Sequence, residues 1–482
     1  MNPTESSSLR SVSARGQKLP TNGLLSPSAN IPVPQMTTAP KPTAPSPFDA
    51  HHPPAPELIE QCVHCGFCLP TCPTYALWGN EMDSPRGRIY LMKMASDGDT
   101  QMTPQFVQHF DTCLGCVACM TACPSGVDYG KLIEATRAQI ERNYSRSFFE
   151  RLHRRLIFAT FPHPSRLRLM RLPLLAYQRS GLQGIVRKSG VLKLLPKRLR
   201  AMETLLPELA PAEAVAEVTP AVGKQRLRVG LLLGCVQREF LSPVNAATVR
   251  VLAAEGCEVV APRAQSCCGA LLVHAGEEAS ALEYARKTID LFERADVKVM
   301  ITNAAGCGSN VKDYGHLLRD DPQYADRARQ FSAKCKDVTE VLATLKPAAT
   351  LHEMRLRVAF HDSCHLQHAQ GVRAQPRSLL AQIPGLQLIE IPEGPICCGS
   401  AGIYNLVQPD AAEALGERKA RLVADLNPDV VATGNPGCML QLQSSLAQLG
   451  RNIPVVHTVQ LLDAAMHGTP LGQALMKRGK AQ

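Results

Sequence analysis

Aromatic residues and long apolar runs are both scarce in this chain of 482 residues. Phe, Trp and Tyr make up 5% of the sequence, with a single Trp, so a surface that stacks aromatic rings on nucleic-acid bases is not expected. No run of about 18 apolar residues occurs, so no membrane-spanning helix is expected. The N-terminus has no apolar signal-peptide core, although its Ser-rich, Arg-containing composition leaves an organelle-targeting peptide open.

Fingerprints of nucleotide binding are also missing. The sequence contains no G-x-G-x-x-G after an apolar strand pattern and no G-x-x-x-x-G-K-[ST]. A site that accepts a hydride through a flavin or nicotinamide is therefore not expected within this chain. Any such step is expected on a partner.

Acidic residues are absent from one basic stretch. Residues 151–200 contain thirteen Lys or Arg and no Asp or Glu, whereas residues 57–130 contain eight acids and three bases. No DNA-binding motif accompanies the basic stretch, so nucleic acid is not an expected partner. Its amphipathic pattern leaves three alternatives open: an anionic membrane surface, an acidic partner, or a solvated basic face packed on residues 57–130.

Cysteine is plentiful, and eight of the eighteen cysteines form two runs of identical spacing. Both runs read C-x2-C-x2-C-x3-C-P, the spacing of ferredoxins that hold two 4Fe–4S clusters, in which the fourth cysteine ligates the cluster of the other run. The first cluster is therefore predicted to bind Cys62, Cys65, Cys68 and Cys123. The second is predicted to bind Cys113, Cys116, Cys119 and Cys72.

Zinc and disulfides explain these runs less well. A structural zinc needs four ligands, usually from two C-x2-C pairs, and gives no reason for a third thiol and a trailing Pro in each run. Disulfide frameworks are typical of small secreted chains. The cysteine pattern therefore predicts iron–sulfur clusters, electron transfer and a reducing, cytoplasmic location.

Five regions follow from composition and periodicity. Residues 1–56 are rich in Pro, Ser, Thr and Ala and are predicted to be a disordered tail. Residues 57–130 form the cluster domain, with a helix over 86–95 that begins at Ser84-Pro85. The remaining regions are a basic helical segment and linker (131–225) and two α/β domains (226–350 and 351–482).

The two α/β domains are predicted to be copies of one another. The segment RLRVGLLLGC (226–235) parallels RLRVAFHDSC (355–364), and the Cys-Cys-Gly triplets at 267–269 and 397–399 keep the same register. In each copy, apolar strand patterns alternate with helical ones, which indicates α/β domains with mostly parallel sheets. The predicted strands are 227–233, 257–261, 297–303, 356–361, 386–391 and 429–433, and the predicted helices include 276–295 and 409–426.

Each copy places four cysteines just after strands, where α/β domains build their sites. They are Cys235, Cys267, Cys268 and Cys307 in copy one, and Cys364, Cys397, Cys398 and Cys438 in copy two. Four thiols could hold a further iron–sulfur cluster, a zinc or a redox-active dithiol, or be small buried residues. Gly269 and Gly399 would allow close backbone approach, and Cys257 and Cys335, which fall outside the pattern, are interpreted as structural.

Copy two also carries three histidines near its first cysteine. His361, His365 and His368 could tune a cluster or relay protons, although a lone histidine is more often structural. Copy one has no counterpart to them. Copy two is therefore the better candidate for a metal site.

Taken together, these motifs resemble the iron–sulfur subunit of bacterial glycolate oxidase. The segments that carry the resemblance are 62–93, 113–127, 303–318 (NAAGCGSNVKDYGHLL), 366–370 (LQHAQ) and 396–406 (ICCGSAGIYNL). The cysteine pattern alone is shared with lactate-oxidation proteins, the anaerobic glycerol-phosphate dehydrogenase small subunit and heterodisulfide reductases. The intervening segments favour the glycolate family over these alternatives.

The resemblance implies a subunit of a glycolate dehydrogenase complex. Flavin-binding partner subunits with FAD would oxidise glycolate to glyoxylate, and this chain would pass the electrons towards a quinone or other membrane acceptor. A peripheral position on the inner face of the cytoplasmic membrane would suit that role. One departure concerns the cysteine-rich domains. Heterodisulfide reductase-type copies end in C-x-x-C, whereas Asn310 and Gln441 stand at that position here. A four-thiolate site, or none, is therefore expected in place of a five-cysteine cluster.

Two rival functions remain. The cysteine-rich copies could reduce a disulfide substrate, against which the missing fifth cysteine counts. The chain could also be a redox-sensing nucleic-acid binder, against which its few aromatic residues count. The eight ferredoxin-type cysteines fit the electron-transfer function best.

Overall fold

Helices and two parallel sheets make up the computed structural model, which describes residues 44–209 and 212–470. Most of the predicted disordered tail, residues 1–43, and the end of the predicted second copy, residues 471–482, lie outside the described residues. The mixture of helical and parallel α/β structure expected from the sequence is confirmed.

Residues 44–55, assigned to the disordered tail from their composition, pack on the rest of the chain instead. Asp49 accepts hydrogen bonds from Arg142 Nε at 2.9 Å and from the side-chain amides of Asn143 at 2.8 Å and Gln139 at 3.0 Å. The contact with Arg142, strongest among these, holds the pKa of Asp49 far below its usual range. Long-range side-chain contacts of this kind leave no periodic signal in a Pro- and Ser-rich stretch.

Six helices surround the two ferredoxin-type loops. The helix predicted over 86–95 is confirmed: Ser84 accepts a hydrogen bond from the Gly87 N–H at 3.0 Å, and Pro85 is the first helical residue. Proline fits there because that N–H has no partner within the helix. The helices are α1 (Pro56–Glu60), α2 (Pro73–Trp78), α3 (Pro85–Ser96), α4 (Pro104–Asp111), α5 (Ala118–Ala122) and α6 (Tyr129–Asn143), with a 3₁₀ turn over Glu81–Asp83.

The basic stretch is helical, as predicted. It starts at a capping box in which Ser147 and Glu150 exchange side-chain and backbone hydrogen bonds. Its helices are α7 (Phe148–Thr160), α8 (Pro164–Arg179), α9 (Leu182–Lys188) and α10 (Lys197–Thr204), with a 3₁₀ turn over Val191–Leu194.

The first α/β copy has a five-stranded sheet in the order β1-β3-β2-β4-β5, parallel except for the β1–β3 pair. Its strands are β1 (Val218–Thr219), β2 (Leu227–Leu232), β3 (Cys257–Val260), β4 (Val299–Thr302) and β5 (Cys335–Asp337). Its helices are α11 (Val236–Phe240), α12 (Ser242–Ala254), α13 (Ala270–Val273), α14 (Glu278–Arg294), α15 (Ala305–Lys312), α16 (Tyr314–Leu317), α17 (Ala325–Lys334) and α18 (Val338–Thr344).

The second copy repeats this plan with a parallel sheet in the order β7-β6-β8-β9. Its strands are β6 (Arg357–His361), β7 (Gln387–Glu390), β8 (Val430–Thr433) and β9 (Val455–His457). Its helices are α19 (Ala374–Leu380), α20 (Tyr404–Val407), α21 (Pro409–Leu426), α22 (Pro436–Gln448) and α23 (Thr458–Met466), with a single π-helical turn over His365–Ala369.

All six predicted strands are present, shortened by one to three residues at their ends. Three others were missed. β1 lies inside the stretch read as a linker, and β5 and β9 are only three residues long, too short to produce a periodic pattern.

The two copies share one apolar core. Val229 and Leu231 of β2 belong to the same buried cluster as Val358 and Phe360 of β6. Helices α12 and α23, one from each copy, also pack against each other. The two sheets are therefore held in a fixed relation, which brings the loops after their strands together.

Candidate metal centres

The first ferredoxin-type loop lies at the surface between α1 and α2. Gly66 adopts a φ of +88°, and a Cβ there would lie 2.7 Å from the guanidinium of Arg86, so glycine lets the loop close at this point. Cys65 is exposed. The small cavity inside the loop is lined by all four thiols of the first predicted set, Cys62, Cys65, Cys68 and Cys123.

The second predicted set is buried, in contrast to the first. Its members are Cys72, Cys113, Cys116 and Cys119. Three polar groups meet its sulfur atoms. The Gly115 N–H donates to Cys113 Sγ at 3.3 Å, Tyr129 Oη lies 3.6 Å from the same sulfur, and Thr74 Oγ1 lies 3.2 Å from Cys72 Sγ. Such hydrogen bonds to sulfur are typical of iron–sulfur sites, where they tune the reduction potential.

Buried positive charge favours thiolate at this second set. Burial raises the pKa of Cys113, but the guanidinium groups of Arg88 and Arg137 outweigh burial, so its pKa is lowered. Arg88 is itself buried and donates to Thr74 and Thr112, each at 3.2 Å. Because the thiolate is the metal-binding form, these two arginines prepare the site for iron.

The four predicted cysteines of copy one converge behind the ends of β2, β3 and β4. Cys268 is hydrogen-bonded to Cys267 and Cys307, and these contacts lower its pKa. Cys235 contacts Cys267. Gly269 has a φ of +87°, and its N–H donates to Cys267 Sγ at 3.3 Å. The structure thus brings all four thiols together.

Copy two repeats this arrangement. Hydrogen bonding with Cys364 and Cys398 lowers the pKa of Cys397, and Cys438 contacts Cys398. Gly399 has a φ of +90°, and a Cβ there would lie 2.6 Å from the Ala412 carbonyl oxygen. No other residue fits at Gly399 without moving the backbone. The close approach of Gly269 and Gly399 to a cluster stays a prediction.

The residues that replace a fifth cysteine have structural roles. Asn310 donates from Nδ2 to the Cys268 carbonyl oxygen at 2.8 Å, which fixes the cysteine loop of copy one. Gln441 donates to the Ala412 carbonyl oxygen at 3.0 Å in copy two. Both amides thus support the backbone around the four thiols.

Both cysteine-rich sites open into one cavity of about 480 Å³. Seven thiols line it: Cys235, Cys267, Cys268, Cys307, Cys364, Cys397 and Cys438. Apolar side chains of the basic helices form the opposite wall, among them Leu167, Met170 and Leu174 of α8. The sequence suggested two separate sites and gave no indication that they share a cavity.

No three thiol sulfur atoms of the described residues lie within 4.8 Å of one another. The one group of three or more metal-binding side chains in this part of the chain that does so is His51, His52 and Glu278. A tetrahedral zinc with bonds of about 2.3 Å places its sulfur ligands about 3.8 Å apart. A zinc and a further iron–sulfur cluster both stay predictions for the cysteine-rich sites.

Three family models match successive parts of the chain. Residues 58–127 match a 4Fe-4S dicluster domain, and residues 229–312 and 358–443 match a cysteine-rich domain. Residues 149–206 match the linker region of the glycolate oxidase iron-sulfur subunit. The basic helices α7 to α10 thus coincide with a region that is characteristic of one family.

Several relatives match over most of the chain. A probable glycolate oxidase iron-sulfur subunit from Bacillus subtilis is 40% identical over 86% of this chain and 95% of its own length. The chain belongs to the family of glycolate oxidase iron–sulfur subunits. The Escherichia coli member is 37% identical with the same coverage, whereas lactate utilization protein A of Bacillus subtilis is 29% identical over 49% of this chain. The family resemblance and the expected role as an electron-transfer iron–sulfur subunit are confirmed.

Two histidines of copy two lie against the second ferredoxin-type loop. His365 Nε2 is 3.1 Å from the Gly115 carbonyl oxygen, and His368 Nδ1 is 2.8 Å from Thr121 Oγ1. His361 stays within copy two: it is buried, which lowers its pKa to about 4, and its Nδ1 lies 3.2 Å from Thr433 Oγ1. The contacts of His365 and His368 thus join two domains, and a role of these histidines in tuning a cluster or relaying protons stays a prediction.

Another buried histidine was missed. His274 stacks edge-on against His365 with ring centroids 4.7 Å apart, and burial holds its pKa well below the usual range. Its carbonyl oxygen accepts a hydrogen bond from Arg137 at 2.9 Å. A single histidine in an otherwise apolar helical stretch gives no signal of such a position in the sequence.

The charge of the linker region is partly neutralised inside the molecule. Arg154 is largely buried and pairs with Glu141 at 3.0 Å, and Arg168 pairs with Glu239 at 3.0 Å. Several large apolar side chains on these helices remain exposed, including Leu169 (70%), Ile185 (64%) and Leu194 (84%). Within the described part of the chain, no helix has the length and apolar character needed to cross a bilayer.

Proposed function

We propose that the chain relays electrons within a complex that oxidises glycolate to glyoxylate, in which partner subunits carry the flavin. The names of two relatives that match over 86% of the chain support glycolate as the substrate. The absence of a nucleotide-binding fingerprint in the sequence supports hydride transfer on a partner. The chain then contributes thiolate sites for one-electron carriers and the surfaces that connect them.

The ligand sets proposed for two 4Fe–4S clusters are those given by the cysteine spacing. Cys62, Cys65, Cys68 and Cys123 would hold the first cluster, and Cys113, Cys116, Cys119 and Cys72 the second. When bound, each cluster would accept and release a single electron. Two observations fit this assignment. The four thiols of the first set line one small cavity. Hydrogen bonds and guanidinium groups lie at the sulfur atoms of the second set.

The observation that carries the proposal is the contact between the second set and copy two. Cys116 and Leu114 belong to the same buried apolar cluster as Cys397 and Tyr404. Tyr404 also donates from its hydroxyl to the Thr112 carbonyl oxygen at 2.9 Å. This buried, hydrogen-bonded contact brings the two thiol sets together, which favours direct electron exchange between them.

Electrons are proposed to leave the chain at the cavity shared by the two cysteine-rich copies. Its apolar wall is built from helices whose outer surface carries exposed leucines beside lysines and arginines. Such a surface suits the interface of an anionic membrane. We therefore place the linker helices at the inner face of the cytoplasmic membrane and a lipid-soluble acceptor such as a quinone as the electron recipient.

Electrons are proposed to enter the chain at the exposed first ferredoxin-type loop. Val63 and Phe67 are each 67% exposed beside the exposed Cys65. Apolar side chains at the surface next to a redox site are suited to a partner interface. The flavin-binding subunits would therefore dock there, at the opposite end of the thiol sets from the shared cavity.

At least one cysteine-rich copy is proposed to hold metal, with copy two the better candidate. The test is iron, sulfide and zinc per chain after anaerobic purification, in wild type and after Cys397 and Cys398 are both changed to Ser. Two clusters give about eight irons and a third gives about twelve. Eight irons without zinc in wild type, unchanged in the double variant, would contradict this part of the proposal. Cys257→Ser is the matched control, since Cys257 is buried in β3 outside every thiol set.

A related substrate is the alternative. Lactate or glycerol 3-phosphate would use the same relay with other flavin subunits, and a heterodisulfide would be reduced at the cysteine-rich thiols themselves. The lactate relatives match only about half of this chain, 49%. Reduction of the reconstituted complex by each substrate in turn separates these alternatives.

A further inference from the structure

A small polar cavity lies beside the second ferredoxin-type loop, separate from the thiol sites. It has a volume of about 70 Å³ and is bordered by the Cys113 segment, α6, α7, α10 and α20. Its wall is unusually basic, with Arg137, Arg146, Arg154, Arg198, His153 and His274. Two carboxylates, Asp111 and Glu150, also line it.

Two of the four arginines have carboxylate partners. Arg146 forms ion pairs with Asp111 at 2.7 Å and with Glu141 at 2.6 Å. Arg154 also forms an ion pair with Glu141, at 3.0 Å, and donates to the Ala275 carbonyl oxygen at 2.7 Å. The second lining carboxylate, Glu150, is engaged by the N-cap of α7. These acids are therefore already occupied.

The other two arginines form no ion pair with a carboxylate among the described residues. Arg137 donates to the carbonyl oxygens of His274, Phe110 and Cys113, and its positive charge acts on the Cys113 thiol. Arg198 forms no hydrogen bond or ion pair with any side chain in the described ranges 44–209 and 212–470. Arg198 thus brings an unpaired positive charge to the cavity wall.

Three buried nitrogen atoms at the same cavity have no hydrogen-bond partner among the described residues. They are both ring nitrogens of His153 and the Nε of Arg154. An unsatisfied buried polar atom costs about 1–3 kcal/mol, so a polar guest at this place would be stabilised by pairing with them. The volume exceeds the roughly 10–15 Å³ that a single water needs.

We propose that this cavity binds a small carboxylate of about two carbons. A carboxylate matches the planar fork of a guanidinium and supplies the negative charge that Arg198 lacks. The volume of about 70 Å³ suits a small anion. The choice of glycolate or glyoxylate as the natural ligand rests on the proposed function, because these are the two-carbon carboxylates of that reaction.

Binding there would regulate the second thiol set. The bound charge would lie beside Cys113 and oppose the addition of an electron to a cluster held by that set. Product or substrate carboxylate would then lower the reduction potential of the second cluster. The cavity is thus inferred to be a feedback site within the electron relay.

The test is direct binding of glyoxylate, glycolate, phosphate and chloride to the purified iron-loaded chain without partner subunits, by anaerobic calorimetry. Arg198→Gln should weaken carboxylate binding roughly tenfold, as expected for the loss of one charge-assisted contact. His153→Phe, which fills the cavity, should abolish it. Arg200→Gln is the matched control, because Arg200 lies on the same helix and does not line the cavity.

A redox titration followed by EPR provides the second readout. Glyoxylate should lower the potential of the second cluster in wild type and in Arg200→Gln, and leave it unchanged in His153→Phe. No binding by wild type at millimolar glyoxylate, equal binding of chloride or phosphate, or unchanged binding in both cavity variants would overturn the proposal. Since no partner subunit is present, these outcomes are independent of whether glycolate is the substrate of the complex.

Discussion

His365 and Gly115 join two parts of the chain that are 250 residues apart in sequence, with His365 Nε2 3.1 Å from the Gly115 carbonyl oxygen. Ser309 Oγ lies 2.7 Å from the other ring nitrogen. If Nε2 carries the proton, the serine hydroxyl donates to Nδ1 and both nitrogens are satisfied. One imidazole therefore ties the second ferredoxin-type loop to both cysteine-rich copies.

Removing this imidazole should loosen the second loop. His365→Leu leaves the Gly115 carbonyl without this donor and the Ser309 hydroxyl with the Gly306 carbonyl as its remaining partner, which costs about 1–3 kcal/mol. Hydrogen exchange across residues 113–119 should then be roughly tenfold to a hundredfold faster. His365→Gln keeps a donor and should preserve most of the protection. Equal exchange in the Leu variant and wild type would show that the contact does not hold the loop.

Loss of one thiol should identify the first ligand set. Cys65→Ser removes an exposed ligand at the surface loop and should reduce bound iron by about four atoms per chain, the content of one cubane. Cys335→Ser provides the control, since Cys335 is buried in β5 and burial raises its pKa to about 12. Full iron content and an unchanged EPR signal in Cys65→Ser would contradict the assignment.

The sequence predicted the elements of this molecule better than their mutual contacts. The Ser84-Pro85 helix start, the six strands and the four-thiol groups follow from spacing and periodicity, because these signals lie within short segments. The burial of Arg154 and the cavity shared by Cys268 and Cys397 arise from contacts between distant segments. No local pattern encodes such contacts, which is why the sequence left open whether the basic helices face a membrane, an acidic partner or residues 57–130.

The exposed loop at the first set should govern binding of the flavin subunits. Val63→Asp places a charge on the proposed apolar contact and should weaken association, because a carboxylate would have to be desolvated there. Val222→Asp is the matched control, since both valines are 67% exposed. Affinity of each variant for the flavin subunits is measured by pull-down or calorimetry. Equal affinity of the two variants would place the docking surface elsewhere.

The linker helices should bind anionic vesicles in a salt-dependent manner. Four exposed cations without carboxylate partners among the described residues are the ones to reverse, because Arg154 and Arg168 support the fold. They are Arg155, Arg179, Lys188 and Lys193. Reversal to Glu should release the chain from vesicles at low salt, since each basic residue near the surface contributes about 1 kcal/mol.

The control for this experiment reverses four exposed cations of the α/β copies. They are Arg294, Lys334, Lys336 and Arg451. This variant has the same net charge and should retain vesicle binding if the linker helices form the membrane surface. Equal loss in both variants would indicate an effect of net charge alone, and absence of binding by wild type would contradict the membrane location.

Anaerobic reduction of the iron–sulfur absorbance by glycolate tests the relay most directly. The purified iron-loaded chain is mixed with glycolate alone, with the flavin subunits alone, and with both. We expect bleaching only when glycolate and the flavin subunits are present together, because the chain has no recognisable site for the hydride step. Bleaching of the flavin-free chain by glycolate, or no bleaching in the complete mixture, would contradict the account.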